Sequence, residues 1–221
     1  MIEIRNIEKI YGFGRSALRV LRGVSLDVMK GEVVSIVGPS GAGKSTLLNL
    51  IGCLDSFQGG SMNIMGKDVS DHSVEDLSGF RNLHLGFIFQ SHNLLPEFSA
   101  IENIMLPLMI RRVGMKKARI EGMRLLERFG LADRAHHKPA ELSGGESQRV
   151  AVARAIVGSP DILLADEPTG NLDSENSRML TDVLLDLGSA GGMTIVIVTH
   201  DRDIAERTAR TVTIIDGAIV D

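Results

Sequence analysis

The chain has 221 residues, of which 43% are hydrophobic, which is enough apolar material for one large α/β domain or two small ones. Its formal net charge is −4, so it lacks the positive field that drives sequence-independent binding to nucleic acid, and we expect no DNA or RNA partner. The single cysteine, Cys53, excludes an intramolecular disulfide and fits a reducing compartment, and we expect it to pack in the core.

We expect neither a signal peptide nor a membrane-spanning segment from the first residues and the longest apolar stretch. Residues 1–5 lack the basic start and apolar run of a signal peptide, so we expect the chain to stay in the cytoplasm. The longest apolar stretch, residues 101–110, is interrupted by Glu102, Asn103 and Pro107 and is shorter than the about 20 residues that span a bilayer. We therefore expect membrane association only through a partner and no direct insertion.

The first predicted element is a small, largely antiparallel sheet. Apolar residues alternate at Ile2 and Ile4 and again at every second position of 24–28. Lys30 and Gly31 form a turn signal that leads into the next strand.

A phosphate-binding loop follows. An apolar run at 33–37 predicts a strand, and helix formers over 46–54 predict a helix. The P-loop pattern G-x-x-x-x-G-K-[ST] is matched between them by Gly38, Pro39, Ser40, Gly41, Ala42, Gly43, Lys44 and Ser45. Such a loop points backbone N–H groups and a helix N-terminus at a polyphosphate. Lys44 would neutralise the β- and γ-phosphates, Ser45 would ligate Mg²⁺ and Thr46 would support the phosphates. The alternative is an ordinary glycine-rich turn.

The middle of the chain is predicted to be mostly helical. Apolar residues recur every three positions before a glycine, at Ile120, Met123, Leu126, Phe129 and Gly130. This spacing predicts an amphipathic helix that stops at the glycine. Because no strand-like run occurs from about 70 to 140, we expect a helical insertion between two halves of an α/β core.

The second half repeats the helix and strand signals. The predicted elements are helices over 143–158 and 174–187, buried strands over 162–165 and 194–199, and a hairpin over 211–220. Gly188 is expected to close the second of these helices. Asp216 and Gly217 are the turn residues of the hairpin.

Two acidic residues stand at the end of the predicted strand 162–165. A hydrolytic P-loop enzyme needs an acidic group on a neighbouring strand to hold its metal, and Asp166 is placed to face the metal through water. Glu167 is the candidate general base for the attacking water. The alternative is that Glu167 caps a backbone group or lies in solvent.

The segment that opens the helix over 143–158 contains an anion-binding signal. Ser143 and Glu146 form a capping box, and Gly144 and Gly145 leave the first N–H groups of the helix uncovered. A bare helix N-terminus binds anions. The alternative is a well-capped helix with a structural role only.

With Leu-Ser-Gly-Gly-Glu-Ser-Gln-Arg at 142–149 and Asp-Glu-Pro-Thr-Gly-Asn-Leu-Asp at 166–173, the chain resembles the ABC ATPase family over essentially its whole length. The resemblance implies an α/β fold. Its P-loop NTPase core would have a mostly parallel sheet flanked by helices, an N-terminal antiparallel β subdomain and an inserted α-helical subdomain. A single domain over 1–221 would comprise a core at 1–89 and 160–221 and a helical subdomain at about 90–159.

The resemblance also implies an activity and partners. The chain would hydrolyse ATP with Mg²⁺, as a homodimer that buries two ATP molecules head to tail. In that dimer the Ser143 helix end, with Gly144, Gly145 and Glu146, would close on the γ-phosphate held by the other subunit. Integral membrane permease subunits would hold the dimer at the cytoplasmic face of the inner membrane as a peripheral protein.

Further site residues are implied by the family's motifs. Gln90 would touch Mg²⁺ and the attacking water, His200 would contact the γ-phosphate, and Asp173 would cross the dimer interface. Taken alone, Gln90 and His200 would more often be strand-end polar groups satisfied by backbone. Tyr11 stands where the family has an aromatic that stacks on adenine, and Phe13 is the alternative.

The remaining histidines show no metal-ligand spacing and are expected to be exposed to solvent. They are His72, His84, His92, His136 and His137.

Within the family, the runs at 85–100 and 164–173 resemble the branch that comprises lipoprotein-releasing ATPases, macrolide-type exporters and the cell-division ATPase, and they look closest to the lipoprotein-releasing type. We predict that the segment from about 79 to 112, headed by Gln90, forms the groove in which the membrane partner docks. The reason is its apolar residues Phe87, Phe89, Leu94, Leu95, Phe98 and Ile101, which give it more apolar surface than a solvated loop requires. A DNA-repair ATPase would need long heptad arms, and a translation factor of this family would carry two cassettes. Neither feature is present in this sequence.

Overall fold

The computed structural model describes residues 1–70, 72–189 and 192–220; the other residues of the predicted domain range 1–221 lie outside it. The strands are β1 (Ile2–Tyr11), β2 (Leu18–Val28), β3 (Val33–Val37), β4 (Gly59–Ile64), β5 (Lys67–Asp68), β6 (Leu85–Ile88), β7 (Ile162–Asp166), β8 (Thr194–Val198), β9 (Arg210–Ile215) and β10 (Ala218–Ile219). The helices are α1 (Lys44–Ile51), α2 (Ser78–His84), α3 (Ala100–Ile110), α4 (Met115–Arg128), α5 (Gly144–Ile156), α6 (Ser174–Ser189) and α7 (Arg202–Arg207).

The strands form two sheets. A four-stranded antiparallel sheet has the order β2-β1-β4-β5, as the alternation at the start of the chain predicts. A six-stranded sheet has the order β10-β9-β3-β8-β7-β6, and all its neighbours are parallel except the hairpin of β9 and β10. The hairpin turns at Asp216 and Gly217, whose φ angles of 49° and 81° are the left-handed values that such a turn needs.

The central strands of the six-stranded sheet are covered on both faces, which explains why they are largely apolar. In β7, Ile162 and Leu164 face a core shared with α1 and the antiparallel sheet. Leu163 and Ala165 face a second core, shared with α3, α4, α5 and α6. Because neither face meets water, the strand shows a continuous apolar run instead of alternation.

Three expectations about the helices and strands need correction. Strand β6 lies within 70–140, where no strand was expected, because four residues at the edge of a parallel sheet are too short to give a clear periodic signal. Ile120 is 58% exposed, since the buried face of α4 contains Ala118, Gly122 and Leu125 instead. Helix α6 does not end at Gly188 but continues through it.

Gly188 is buried against the sheet. A Cβ added to it would lie 2.3 Å from Cγ2 of Val33, so this glycine allows close packing of α6 on β3.

The segment between β6 and β7 contains only helices and turns among the residues described. Helices α3, α4 and α5 pack on one another and form part of the second core. Their positions agree with the helical segment expected at about 90–159, whose status as a subdomain stays a prediction. No helix in the described part of the chain has the length and apolar character needed to cross a membrane.

Candidate functional site

The P-loop connects β3 to α1, and two of its glycines are required by geometry. Gly38 has a φ of 149°, and a Cβ there would lie 2.0 Å from the backbone oxygen of Ile214. Gly43, directly before α1, has a φ of 101°, which side chains other than glycine rarely adopt. The loop therefore brings bare backbone to the N-terminus of α1, which is the arrangement that binds phosphate.

The Lys44 ammonium is held inside this loop. It donates to the carbonyl oxygens of Gly38 at 2.9 Å and Pro39 at 3.0 Å. These are neutral partners, so an arriving polyphosphate would offer the ammonium a stronger, charge-assisted interaction. The loop can therefore exchange internal hydrogen bonds for phosphate contacts.

The predicted metal ligands Ser45 and Asp166 are brought together. Ser45 Oγ donates to Asp166 Oδ1 at 3.0 Å, which joins the start of α1 to the end of β7. Burial raises the pKa of Asp166, opposed by the hydrogen bond from Ser45. The oxygen atoms of Ser45 and Asp166 are the hard donors that Mg²⁺ prefers. The charge of the ion would also offset the cost of keeping the partly buried Asp166 carboxylate ionised.

Glu167 and His200 face each other across the ends of two adjacent strands. The Glu167 backbone has a φ of 46°, an uncommon left-handed value for a side chain of this kind and one that marks many functional sites. Its carboxylate lies 2.8 Å from Nδ1 of His200 and is only 15% exposed, whereas the histidine is 71% exposed. The contact with His200 therefore fixes the orientation of the Glu167 carboxylate.

The P-loop, Glu167 and His200 line one cleft of about 580 Å³, and Asp166 contacts this lining through Ser45. Its lining consists of Leu18, Val20, Gly38, Ser40, Gly41, Gly43, Lys44, Ser45, Thr46, Gln90, Glu167 and His200. Gln90 belongs to this lining, and its backbone carbonyl accepts from Asn171 Nδ2 at 2.9 Å. The P-loop, the candidate general base Glu167, and the polar residues Gln90 and His200 thus surround a single cleft.

The predicted base-stacking residue lies at the rim of this cleft. Tyr11 is not among the lining residues, but its side chain is 41% exposed and its hydroxyl lies near Thr46, which is one of them. Phe13, the alternative, is 93% exposed. Tyr11 is therefore the better placed of the two aromatics.

The capping box at the start of α5 is present as predicted. Ser143 Oγ accepts from the Glu146 backbone N–H at 3.2 Å, and Glu146 Oε2 accepts from the Ser143 backbone N–H at 2.7 Å. Arg134 also pairs with Glu146 at 3.0 Å. The hydrogen bond from the Ser143 N–H, followed by that from Arg134, lowers the pKa of Glu146 to about 2.

Asp173 lies beside this helix. Its carboxylate accepts from the Asn176 backbone at 2.9 Å and side chain at 2.7 Å and so caps α6. Asn176 in turn contacts Arg149 of α5 and packs against Gly145. Among the residues described, the cleft lining includes neither Asp173 nor any residue of the Ser143 helix end. Within one chain, both Asp173, predicted to lie at the dimer interface, and the phosphate ligands predicted at the Ser143 helix end are separate from the P-loop.

A hydrogen-bond network that joins the loop after β6 to α5 was not predicted. Gln148, 1% exposed, donates to the carbonyl of Pro168 at 2.7 Å, and its amide oxygen pairs with the His92 imidazole. Arg154 donates to the carbonyls of His92 and Asn93. The only features of the sequence that could have indicated this network are Gln148 and Arg154, two polar residues among the apolar residues of α5. The network connects the loop after β6, which contains Gln90, to the segment that directly follows Asp166 and Glu167.

Three of the five other histidines are less exposed than expected. His84 pairs with Asp161 at 2.7 Å and is 26% exposed, and His92 and His137 are half-buried. The expectation is confirmed for His72 and His136. No group of three or more His, Cys, Asp or Glu side chains that could hold a metal occurs in the described part of the chain.

Comparisons with known proteins agree with one another. The sequence pattern of the family described as "ABC transporter" matches residues 21–170. The "Lipoprotein-releasing system ATP-binding protein LolD" of Bacteroides fragilis is 52% identical, over 100% of this chain and 100% of that protein. The "Uncharacterized ABC transporter ATP-binding protein YknY" of Bacillus subtilis is 46% identical, over 100% of this chain and 95% of that protein. A solved dimeric structure of "a post-hydrolysis state of the ATP-binding cassette MJ0796 bound to ADP and Pi" is 40% identical with a TM-score of 0.94, covering 100% of this chain and 97% of that one.

Proposed function

This chain belongs to the ABC transporter family, and from that membership we propose that it is the ATP-hydrolysing subunit of a complex that releases lipoproteins from the inner membrane. The observation that carries the proposal is the full-length similarity to a lipoprotein-releasing ATP-binding protein. The ATPase would act at the cytoplasmic face, because its substrate ATP is cytoplasmic and its partner provides the path across the membrane.

The P-loop holds the triphosphate in this proposal. Its backbone N–H groups and the N-terminus of α1 receive the phosphates, and Lys44 exchanges the carbonyls of Gly38 and Pro39 for phosphate oxygens. Ser45, Asp166 and Gln90 would hold Mg²⁺, which supplies positive charge beside the β- and γ-phosphates. Tyr11 at the rim stacks on the base.

Glu167 carries the proton chemistry. Its carboxylate accepts a proton from the water that attacks the γ-phosphate, and general-base assistance of this kind contributes about 10²- to 10⁴-fold to rate. His200 orients that carboxylate through Nδ1 at 2.8 Å and remains exposed enough to reach a phosphate in the cleft. Gln90 lies on the same lining and is placed to orient the water.

A second copy of the chain would complete each site. The Ser143 helix end, with Gly144, Gly145 and Glu146, exposes a capped N-terminus away from its own cleft, so it can close on a γ-phosphate only in another subunit. Asp173 lies next to this helix end through Asn176, at the surface where two copies would meet. The dimeric state of the related cassette supports this arrangement.

The membrane partner would dock on the segment 79–112. Of the apolar residues predicted to form its docking surface, Leu95 and Phe98 are exposed, whereas Ile101 is buried. Exposed apolar surface is also present at Leu83, Met109 and Ile110. Cysteines introduced one at a time over 93–102 should crosslink to a cytoplasmic segment of the permease. A matched set on the exposed face of α4, at Lys116, Arg119 and Glu127, should not. Crosslinks from α4 alone would place the docking site elsewhere.

Reconstitution tests the transport function. The chain is purified with the membrane proteins encoded beside its gene and placed in proteoliposomes that contain an acylated lipoprotein. ATP should release the lipoprotein to a soluble acceptor, and Glu167→Gln should abolish release. ATP-driven movement of a macrolide without lipoprotein release would favour an efflux pump. Hydrolysis with neither transport activity would favour the cell-division complex.

A further inference from the structure

A buried lysine lies beside the aromatic ring at the rim of the cleft. Lys9 is only 4% exposed and occupies an inward-facing position of β1, in line with the buried Ile7. Its ammonium donates to Asp55 Oδ1 at 2.7 Å and to the carbonyl oxygen of Ser56, just beyond the end of α1. Burial of a lysine is costly unless its charge is paired, and here Asp55 supplies that pair.

Asp55 connects the lysine to the tyrosine. While one carboxylate oxygen accepts from Lys9, the other accepts from the Tyr11 hydroxyl at 2.7 Å. Burial opposes ionisation of Asp55, but the hydrogen bonds from Lys9, Tyr11 and the Ser56 N–H outweigh it and lower its pKa. The carboxylate is therefore charged at neutral pH and holds both neighbours.

These contacts fix the tyrosine ring at two points. Its hydroxyl is held by Asp55, and the Lys9 ammonium lies 4.5 Å from the ring centroid, over one face. Tyr11 keeps 41% of its surface exposed beside Thr46 of the cleft lining. The ring is thus held in one orientation before any base arrives. Binding of the base therefore does not have to include the entropic cost of ordering the Tyr11 side chain.

We propose that Lys9 and Asp55 are positioning residues that preorganise Tyr11 as the platform for the nucleotide base. The inference rests on the proposed nucleotide site. It adds that affinity for the base, as distinct from affinity for the phosphates, depends on the ion pair between buried Lys9 and half-buried Asp55, outside the cleft. An aromatic stack contributes about three- to tenfold to an affinity, which sets the size of the expected effect.

The test compares ATP with inorganic tripolyphosphate, which has the phosphates but no base. Dissociation constants for both ligands are measured with Mg²⁺ by calorimetry. Asp55→Ala, Lys9→Met and Tyr11→Phe should each weaken ATP binding, by at most the about three- to tenfold that the whole stack contributes, and leave tripolyphosphate binding unchanged. Tyr11→Phe is the most specific variant, because it keeps the ring and removes only the hydroxyl that Asp55 holds. Asp27→Ala, which removes an exposed carboxylate of the same sheet, is the matched control and should change neither constant.

A double-mutant cycle identifies the coupling. Asp55→Ala should have little further effect on ATP binding in a Tyr11→Ala background, because the platform is already lost. Equal weakening of both ligands would mean that Lys9 and Asp55 only stabilise the fold, and unchanged ATP binding in Tyr11→Phe and Asp55→Ala would also overturn the inference. Tripolyphosphate binding that survives Lys44→Ala would instead count against the proposed nucleotide site itself.

Discussion

The imidazole Nδ1 of His200 lies 2.8 Å from the carboxylate of Glu167, and the backbone N–H of His200 donates to the same oxygen at 3.3 Å. Glu167 and His200 follow the ends of the adjacent parallel strands β7 and β8, whose pairing brings the two residues together. The contact fixes one oxygen of the carboxylate and leaves the other to accept a proton. This relationship makes the role of Glu167 testable by substitutions that preserve shape.

Glu167→Gln should separate binding from chemistry. Glutamine retains the volume and can still hold a water, but it cannot accept a proton, so ATP hydrolysis should fall by about 10²- to 10⁴-fold. ATP affinity should persist, because Lys44, Ser45 and Asp166 remain. Phosphate release and equilibrium ATP binding are the measurements, with Glu127→Gln on the exposed face of α4 as the matched control. Parental turnover in Glu167→Gln would disprove the general-base assignment.

Ser143→Arg should prevent dimer formation. In the Glu167→Gln background, unhydrolysed ATP should hold two chains together, and light scattering with ATP and Mg²⁺ should detect the dimer. An arginine at the exposed start of α5 adds bulk where the second subunit would approach and leaves the P-loop of its own chain unchanged. Ser143→Ala is the control, because it removes the cap, at a cost of about 1 kcal/mol, without adding bulk. A persistent dimer in the arginine variant would contradict closure by this helix end.

Lys44→Ala should abolish ATP hydrolysis and weaken nucleotide binding. Without the ammonium, the phosphate charge would meet only neutral N–H groups at this point of the loop. Equilibrium binding of a fluorescent ATP analogue measures the loss, and Lys116→Ala on α4 serves as the control. Parental affinity together with parental turnover would show that nucleotide binds elsewhere.

Glu146→Gln should lower the stability of the fold at neutral pH, and this loss should disappear in acid. The folded pKa of about 2 lies below the usual 4.5, so the ionised Glu146 stabilises the fold above about pH 4.5, and this contribution is lost as pH falls towards 2. We therefore expect the variant to be less stable than the parent at pH 7, by on the order of 1 kcal/mol, with the difference shrinking from pH 4.5 to 2. Urea unfolding at a series of pH values measures it. A difference that is constant across this window would contradict the assignment.

Cys53 should be unreactive in the folded protein. Its side chain is 2% exposed, and burial raises the pKa of the thiol to about 11, so little thiolate is present at neutral pH. A thiol reagent at pH 8 should modify the native chain at least about tenfold more slowly than the urea-unfolded chain. Equal rates would indicate that the surrounding core opens readily.

The sequence by itself determined the parts of the site that are contiguous. The P-loop, the Ser143 capping box and the strand that ends in Asp166 and Glu167 each depend on backbone hydrogen bonds and side chains within a few residues, so their spacing predicts their geometry. The predicted α/β fold with its N-terminal antiparallel sheet and mostly parallel core sheet was also confirmed.

Only the tertiary structure decided which distant residues meet. Tyr11 bonds to Asp55, His92 to Gln148 and Glu167 to His200 across separations of 44, 56 and 33 residues. These contacts depend on strand order, on the packing of α1 and α5, and on the left-handed backbone at His92 and Glu167. No local periodicity encodes them, because each arises when segments that are remote in sequence are brought together by burial of their apolar faces.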